Sequence, residues 1–133
     1  MKNLLHILLL ALAVLPAAAD EFSRPRPVVI YGYSGTAMEP FISKDGNYLF
    51  FNNSNAPGGW TDIYFARRVH DGIFLFSGRL DGANAPYPAL DGVPSMDAFG
   101  VFYFISTRSY DATLKTLHAG IFPGSGLSGV TLV

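Results

Sequence analysis

The chain has 133 residues, half of them hydrophobic, with nine Lys and Arg against ten Asp and Glu and a formal net charge of −1. Near-balanced charge without a basic patch argues against nucleic acid as a partner. The absence of cysteine excludes disulfide staples, a thiol nucleophile and a cysteine-ligated zinc site.

Met1 to Ala19 reads as a secretory signal peptide rather than as structure. Lys2 supplies the positive n-region, Leu4 to Leu15 is an apolar run interrupted only by His6, and Ala17-Ala18-Ala19 is a small-residue cleavage site. Cleavage near Ala19 would start the mature chain at Asp20 and place the protein in the periplasm or outside the cell. An uncleaved N-terminal anchor is the rival reading. The apolar run is short for a membrane span, and no later stretch reaches about 18 apolar residues, so no transmembrane span is expected.

Residues 20–37 form a lead-in: Glu21 to Pro27 is charged and Pro-containing, and Val28 to Tyr31 is a first strand. That strand could close the last blade of a propeller or serve as a simple edge strand. The organising stretch follows, from Glu39 to Ala66. Ser43-Lys44-Asp45-Gly46 is a turn in which Gly supplies positive φ, and Tyr48 to Phe51 suits a strand buried on both faces. Asn52 to Trp60, rich in Asn, Gly and Pro, is a loop.

A first unit, about 38–92, is expected to hold strands at Met38–Ile42, Tyr48–Asn52, Asp62–Arg67 and Ile73–Leu80. Asp81 to Gly92 is an irregular link. A second unit, about 93–133, would hold strands at Val93–Met96, Val101–Ser106, Leu114–Ala119 and Leu127–Val133. Sustained helical periodicity is absent beyond the leader. A shift of 53 residues lays Tyr48–Phe51 on Val101–Phe104 and Ile63–Ala66 on Thr116–Ala119. A period of about 50 residues made of short strands indicates propeller blades. Two unrelated hairpins of similar composition are the alternative.

Glu39-Pro40, Ser43-Lys44-Asp45-Gly46, Leu49-Phe50-Phe51, Ser54 to Gly59 and Asp62-Ile63-Tyr64 together resemble the TolB-like (WD-like) β-propeller repeat. Lys44 stands where that repeat has Pro, and Asn55-Ala56 where it has Asp-Arg. The second unit fits less closely, through Val93-Pro94-Ser95 and Ser106-Thr107-Arg108. The expected fold is therefore all-β: two four-stranded antiparallel propeller-type blades over residues 38–133. These would form a partial β-propeller or a small β-sandwich. Propellers close with about four to eight blades, so two blades leave open faces and edges. Three readings follow: part of a longer propeller, self-association through open blade edges, or a sandwich that stands alone. The resemblance implies a non-enzymatic module that binds a protein or a cell-envelope ligand. A glycan-active hydrolase or lyase of propeller type is the alternative.

The sequence points to no catalytic residue, metal site or cofactor. His70 falls in a turn and His118 in a strand, no Gly-x-Ser-x-Gly elbow is present, and the Asp residues mostly precede Gly or open turns. Four residues remain as candidates for ligand or partner binding. Arg108 follows a buried strand and faces Tyr110 and Asp111, where it could bind a carboxylate or form a salt bridge to Asp111 or Asp97. Trp60 would plug the space between blades if buried, the preferred reading, or offer a stacking platform if exposed.

Overall fold

A computed structural model describes residues 25–56 and 59–133. The expected signal peptide, the start of the lead-in, and Pro57-Gly58 lie outside these residues. The chain forms β1 (Val29–Tyr31), β2 (Met38–Ile42), β3 (Tyr48–Asn52), β4 (Ile63–His70), β5 (Ile73–Arg79), β6 (Asp91–Met96) and β7 (Val101–Ser106). A short helix α1 (Tyr110–Thr113) precedes β8 (Leu117–Ile121) and β9 (Ser128–Leu132). The strands build two sheets, ordered β1-β5-β4-β3-β2 and β6-β7-β8-β9. The all-β, two-sheet reading holds, compatible with a small β-sandwich or a partial propeller.

The first sheet carries one strand more than expected. β1 runs parallel to β5, pairing Val29 with Ile73 and Tyr31 with Leu75, so it is an edge strand and closes no other blade. The second sheet begins earlier, at Asp91, because Asp91-Gly92 pairs with Ser106-Ile105 instead of forming a turn. Its third strand begins later, at Leu117. Residues 110–113 wind into one helical turn that ends at Leu114, which adopts φ +58°.

The β2–β3 and β6–β7 turns each rest on an Asp and a positive-φ glycine. Gly46 has φ +74° and Gly100 φ +83°. Asp45 Oδ1 accepts from Ser43 Oγ at 2.5 Å and from the Asn47 amide at 3.0 Å. Asp97 Oδ1 accepts from the amides of Phe99 and Val101, at 2.8 and 3.0 Å. The second turn is one residue shorter: Asp97 N–H donates to Val101 O, where Ser43 N–H donates to Tyr48 O.

These closing bonds show which faces correspond. Tyr48 matches Val101, so Leu49 and Phe51 match Phe102 and Phe104, as the 53-residue shift has it. In the next strand Phe51 pairs with Tyr64 and Phe104 with His118. His118 therefore takes the place of Tyr64, one residue later than the sequence shift predicts.

Side chains alternate across a strand, and the two sheets use their faces differently. Tyr48, Phe50, Ile63 and Phe65 of the first sheet meet Phe102, Phe104 and Phe122 of the second in the main core, with Leu80 and Ala83 from the linker. Phe50 sits at its centre, with ring centroids 4.9 Å from Phe102 and 5.0 Å from Phe122. The face of Leu49 and Phe51 looks the other way. It forms a second cluster with Ala66 and Phe74, covered by Ile30 and Tyr33. Matching faces thus do not meet: the sheets stack head to tail, one face of the first on the opposite face of the second.

The sheets are also tied at their facing edge strands. β2 and β6 each carry a bulge, between Met38 and Phe41 and between Gly92 and Ser95. The residue before proline in each bulge is left-handed: Glu39 at φ +49° and Val93 at φ +54°, the latter an outlier for a β-branched side chain. The Glu39 carboxylate accepts from the Val93 amide at 3.3 Å and from Asn55 Nδ2 at 3.0 Å, linking the two bulges.

Candidate functional site: the loop end of the two sheets

The loops that leave β3, β5 and β7 gather at one end of the molecule, and the four candidate residues all lie there. Residues 80–90 run across this end and are held along their length. The Asn84 side chain accepts from the Ile63 amide at 2.7 Å and donates to the carbonyls of Ile63 and Leu80 at 2.8 and 3.0 Å. Arg79 Nη2 donates to Asp62 Oδ1 at 2.6 Å. That hydrogen bond, ahead of any other influence, raises the Arg79 pKa above its ordinary value.

Arg108 is a fastener of this end. Its Nη2 donates to Asp91 Oδ1 at 2.9 Å and to the Ala83 carbonyl, and its Nε donates to Ser106 Oγ at 2.7 Å. The guanidinium carbon lies 5.2 Å from the Phe104 ring centroid, a cation–π contact. The Asp91 side chain is fully buried and that of Arg108 is 24% exposed. Asp91 Oδ2 also accepts from the Ala85 amide at 2.8 Å. The ion pair expected with Asp111 or Asp97 is instead made with Asp91. Sequence reasoning read Asp91 as one more turn aspartate before Gly, and only the β6–β7 pairing places it inside.

Trp60 is exposed, at 59%, which corrects the expectation of burial between the sheets. It packs on Tyr87, itself 59% exposed, with ring centroids 5.2 Å apart and planes at 56°. Tyr87, which the sequence reading missed, projects between Pro86 and Pro88 from the same linker that Arg108 fastens.

Pro86 and Pro88 line a cleft of about 410 Å3 that also takes in Ala89, Arg108, Tyr110 and Asp111. Tyr110 and Asp111 open α1, and both are exposed. Three of the four candidates therefore share one cleft; Trp60 does not line it and packs instead on Tyr87, whose neighbours Pro86 and Pro88 do. The cleft offers aromatic and proline surface, one carboxylate and the edge of one guanidinium.

The carboxylates of the described residues are mostly engaged elsewhere. Asp45 and Asp97 hold turns, Asp62 and Asp91 hold arginines, and Asp71 meets Arg26 and Arg68 at 3.3 Å each. His118 is buried, its ring centroid 5.6 Å from that of Phe104. Its Nδ1 lies 2.9 Å from the Thr116 carbonyl and so carries the proton, while Nε2 lies 3.4 Å from Ser109 Oγ. Among the described residues no group of three His, Cys, Asp or Glu is placed to hold a metal. No helix among them is long and apolar enough to cross a membrane.

Compared with protein-family models, with curated proteins and with solved structures, the chain shows no significant match to any of them.

Proposed function

We propose that this chain is an exported, non-enzymatic binding module of the TolB-like propeller-repeat type. It engages a protein or cell-envelope ligand through the loop end of its two sheets. The observation that carries this reading is the exposed Trp60–Tyr87 pair, whose Tyr87 sits between two prolines of the cleft of Arg108, Tyr110 and Asp111 on a linker fastened by side-chain hydrogen bonds. Large aromatic side chains held at the surface on a rigid support give contact area at little entropic cost, and they suit sugar rings or an apolar anchor of a partner. Arg108 is occupied in fastening the site, so the aromatic surface and the exposed Asp111 carboxylate are the parts that face a ligand. The signal-like N-terminus supports an exported setting in which envelope glycans and envelope proteins are at hand.

Trp60 is the single tryptophan of the chain, so tryptophan emission, excited at wavelengths where tyrosine does not absorb, reports on this site alone. Titration with soluble peptidoglycan fragments, alongside co-sedimentation with whole envelopes, tests the reading. A saturable shift in Trp60 emission, or envelope binding lost in Trp60→Ala and Tyr87→Ala, is the expected result. Envelope binding that survives both substitutions would move the ligand surface elsewhere, and binding by neither assay would remove the proposal.

A further inference from the structure

Among the described residues the outer face of the second sheet meets the first sheet at its Gly92–Ile105 end, where Asn52, Glu39 and Ala56 stand beside it; the rest of the face over β7 and β8 packs against no other sheet. Register places Val101, Tyr103 and Ile105 of β7 on it, opposite Ile121, Ala119 and Leu117 of β8. Leu117 and Ile121 are 40% and 47% exposed. By the turn-closing bonds, this face corresponds to that of Tyr48 and Phe50 in the first sheet, which is buried in the main core by another sheet. The protein itself thus shows what covers such a face: a second apolar sheet.

The described residues leave one such surface free to supply that cover. The remaining face of the first sheet is already capped, with the Tyr33 ring centroid 5.0 Å from both Phe51 and Phe76. Head-to-tail stacking of a second copy would have to displace that cap. The outer face of the second sheet carries no charged side chain on β7 or β8, so two copies can meet there without like-charge repulsion. We infer that two copies associate about a two-fold axis by packing these outer faces together, Val101, Tyr103, Leu117 and Ile121 of each against the same set of the other. Such a self-complementary contact closes at two subunits, and aligned sheet packing about 10 Å apart suits flat aliphatic faces. The contact uses a sheet face, whereas the sequence alone suggested self-association through open edges.

Sedimentation equilibrium of the purified chain over a concentration series tests this. The expected result is a species of twice the chain mass that dissociates to monomer on dilution. Leu117→Lys and Ile121→Lys, at exposed positions, are expected to remain monomeric throughout, with unchanged circular dichroism and thermal melting. A monomer at every concentration in the native chain would overturn the inference. So would a dimer that persists in the two folded lysine variants, which would place the contact on another surface. Mass that rises without limit would also overturn it, since that indicates head-to-tail growth. If either variant melts early, Thr131→Lys, on β9 opposite Ala119, serves as the reading instead.

Discussion

Two side chains show how much of this protein hangs on single polar contacts. Arg108 neutralises Asp91, whose carboxylate is fully buried. Removing one partner of a buried ion pair leaves the other charged and desolvated. Arg108→Ala is therefore expected to destabilise the fold by about 3 kcal/mol, at the lower end for buried pairs because the Arg side chain keeps some solvent. Chemical denaturation measures this, and Arg108→Ala combined with Asp91→Asn should recover part of the loss. Asp45 acts through its own turn. Hydrogen bonds from Ser43 Oγ first, and then from the Asn47 backbone, lower its pKa below the ordinary value. A carboxyl with a depressed folded-state pKa contributes stability above its unfolded pKa, near 4, and loses it as pH falls through the folded value. The melting temperature should therefore fall in acid, and Ser43→Ala, which removes the largest of these bonds, should flatten that fall.

At the scale of elements, the segment from β1 to β2 behaves as a lid on the first sheet. β1 adds a parallel edge strand, and the turn after it drops Tyr33 onto Phe51, Tyr64 and Phe76. Burial is the first cause of the raised Tyr33 pKa, with the Tyr64 hydroxyl second, in keeping with a ring lodged among aromatics while its hydroxyl reaches the Thr36 carbonyl at 2.8 Å. Tyr33→Ala should cost about 2 kcal/mol, less than a fully buried aromatic because the ring is partly exposed. The same variant should bind more of a hydrophobic dye, since it uncovers an apolar face. Unaltered dye binding and melting would show that the sheet needs no lid. The strand that supplies this lid was legible as a strand from Val28 to Tyr31. Its parallel pairing with β5 was not, because that pairing joins residues more than 40 positions apart and no local pattern encodes it.

Over the whole molecule, one core serves both sheets. Phe50 contacts Phe41, Tyr48 and Phe65 of its own sheet and Phe102 of the other. Neither sheet therefore has an independent core on this side, and the two should unfold together. Phe50→Ala is expected to cost about 3–5 kcal/mol while leaving a single transition by near- and far-UV circular dichroism. Two separate transitions would mean that the sheets fold as units. The loop end is built on the same cooperation, since Asp91 from β6 and Arg108 after β7 fasten a linker that began in the first sheet. The ligand site proposed at Trp60 and Tyr87 thus exists only when both sheets are docked.

Sequence alone determined the strands, the glycine turns and the repeat, because each is encoded within a few neighbouring residues: alternation, positive φ, and a carboxylate within reach of its own turn. It also marked Arg108, Tyr110, Asp111 and Trp60 as a group worth following, and the first three do share a cleft. Tertiary structure alone decided their roles. A buried aspartate and a turn aspartate look alike before glycine, so Asp91 and the fastening of Arg108 were invisible until β6 paired with β7. A tryptophan beside two glycines can turn inward or outward, and only the tertiary structure shows Trp60 outside, packed on Tyr87. The head-to-tail stacking followed the same logic. A shift of one residue moves a side chain to the opposite face of a sheet, and only the hydrogen-bonded register shows which faces meet and which remains open.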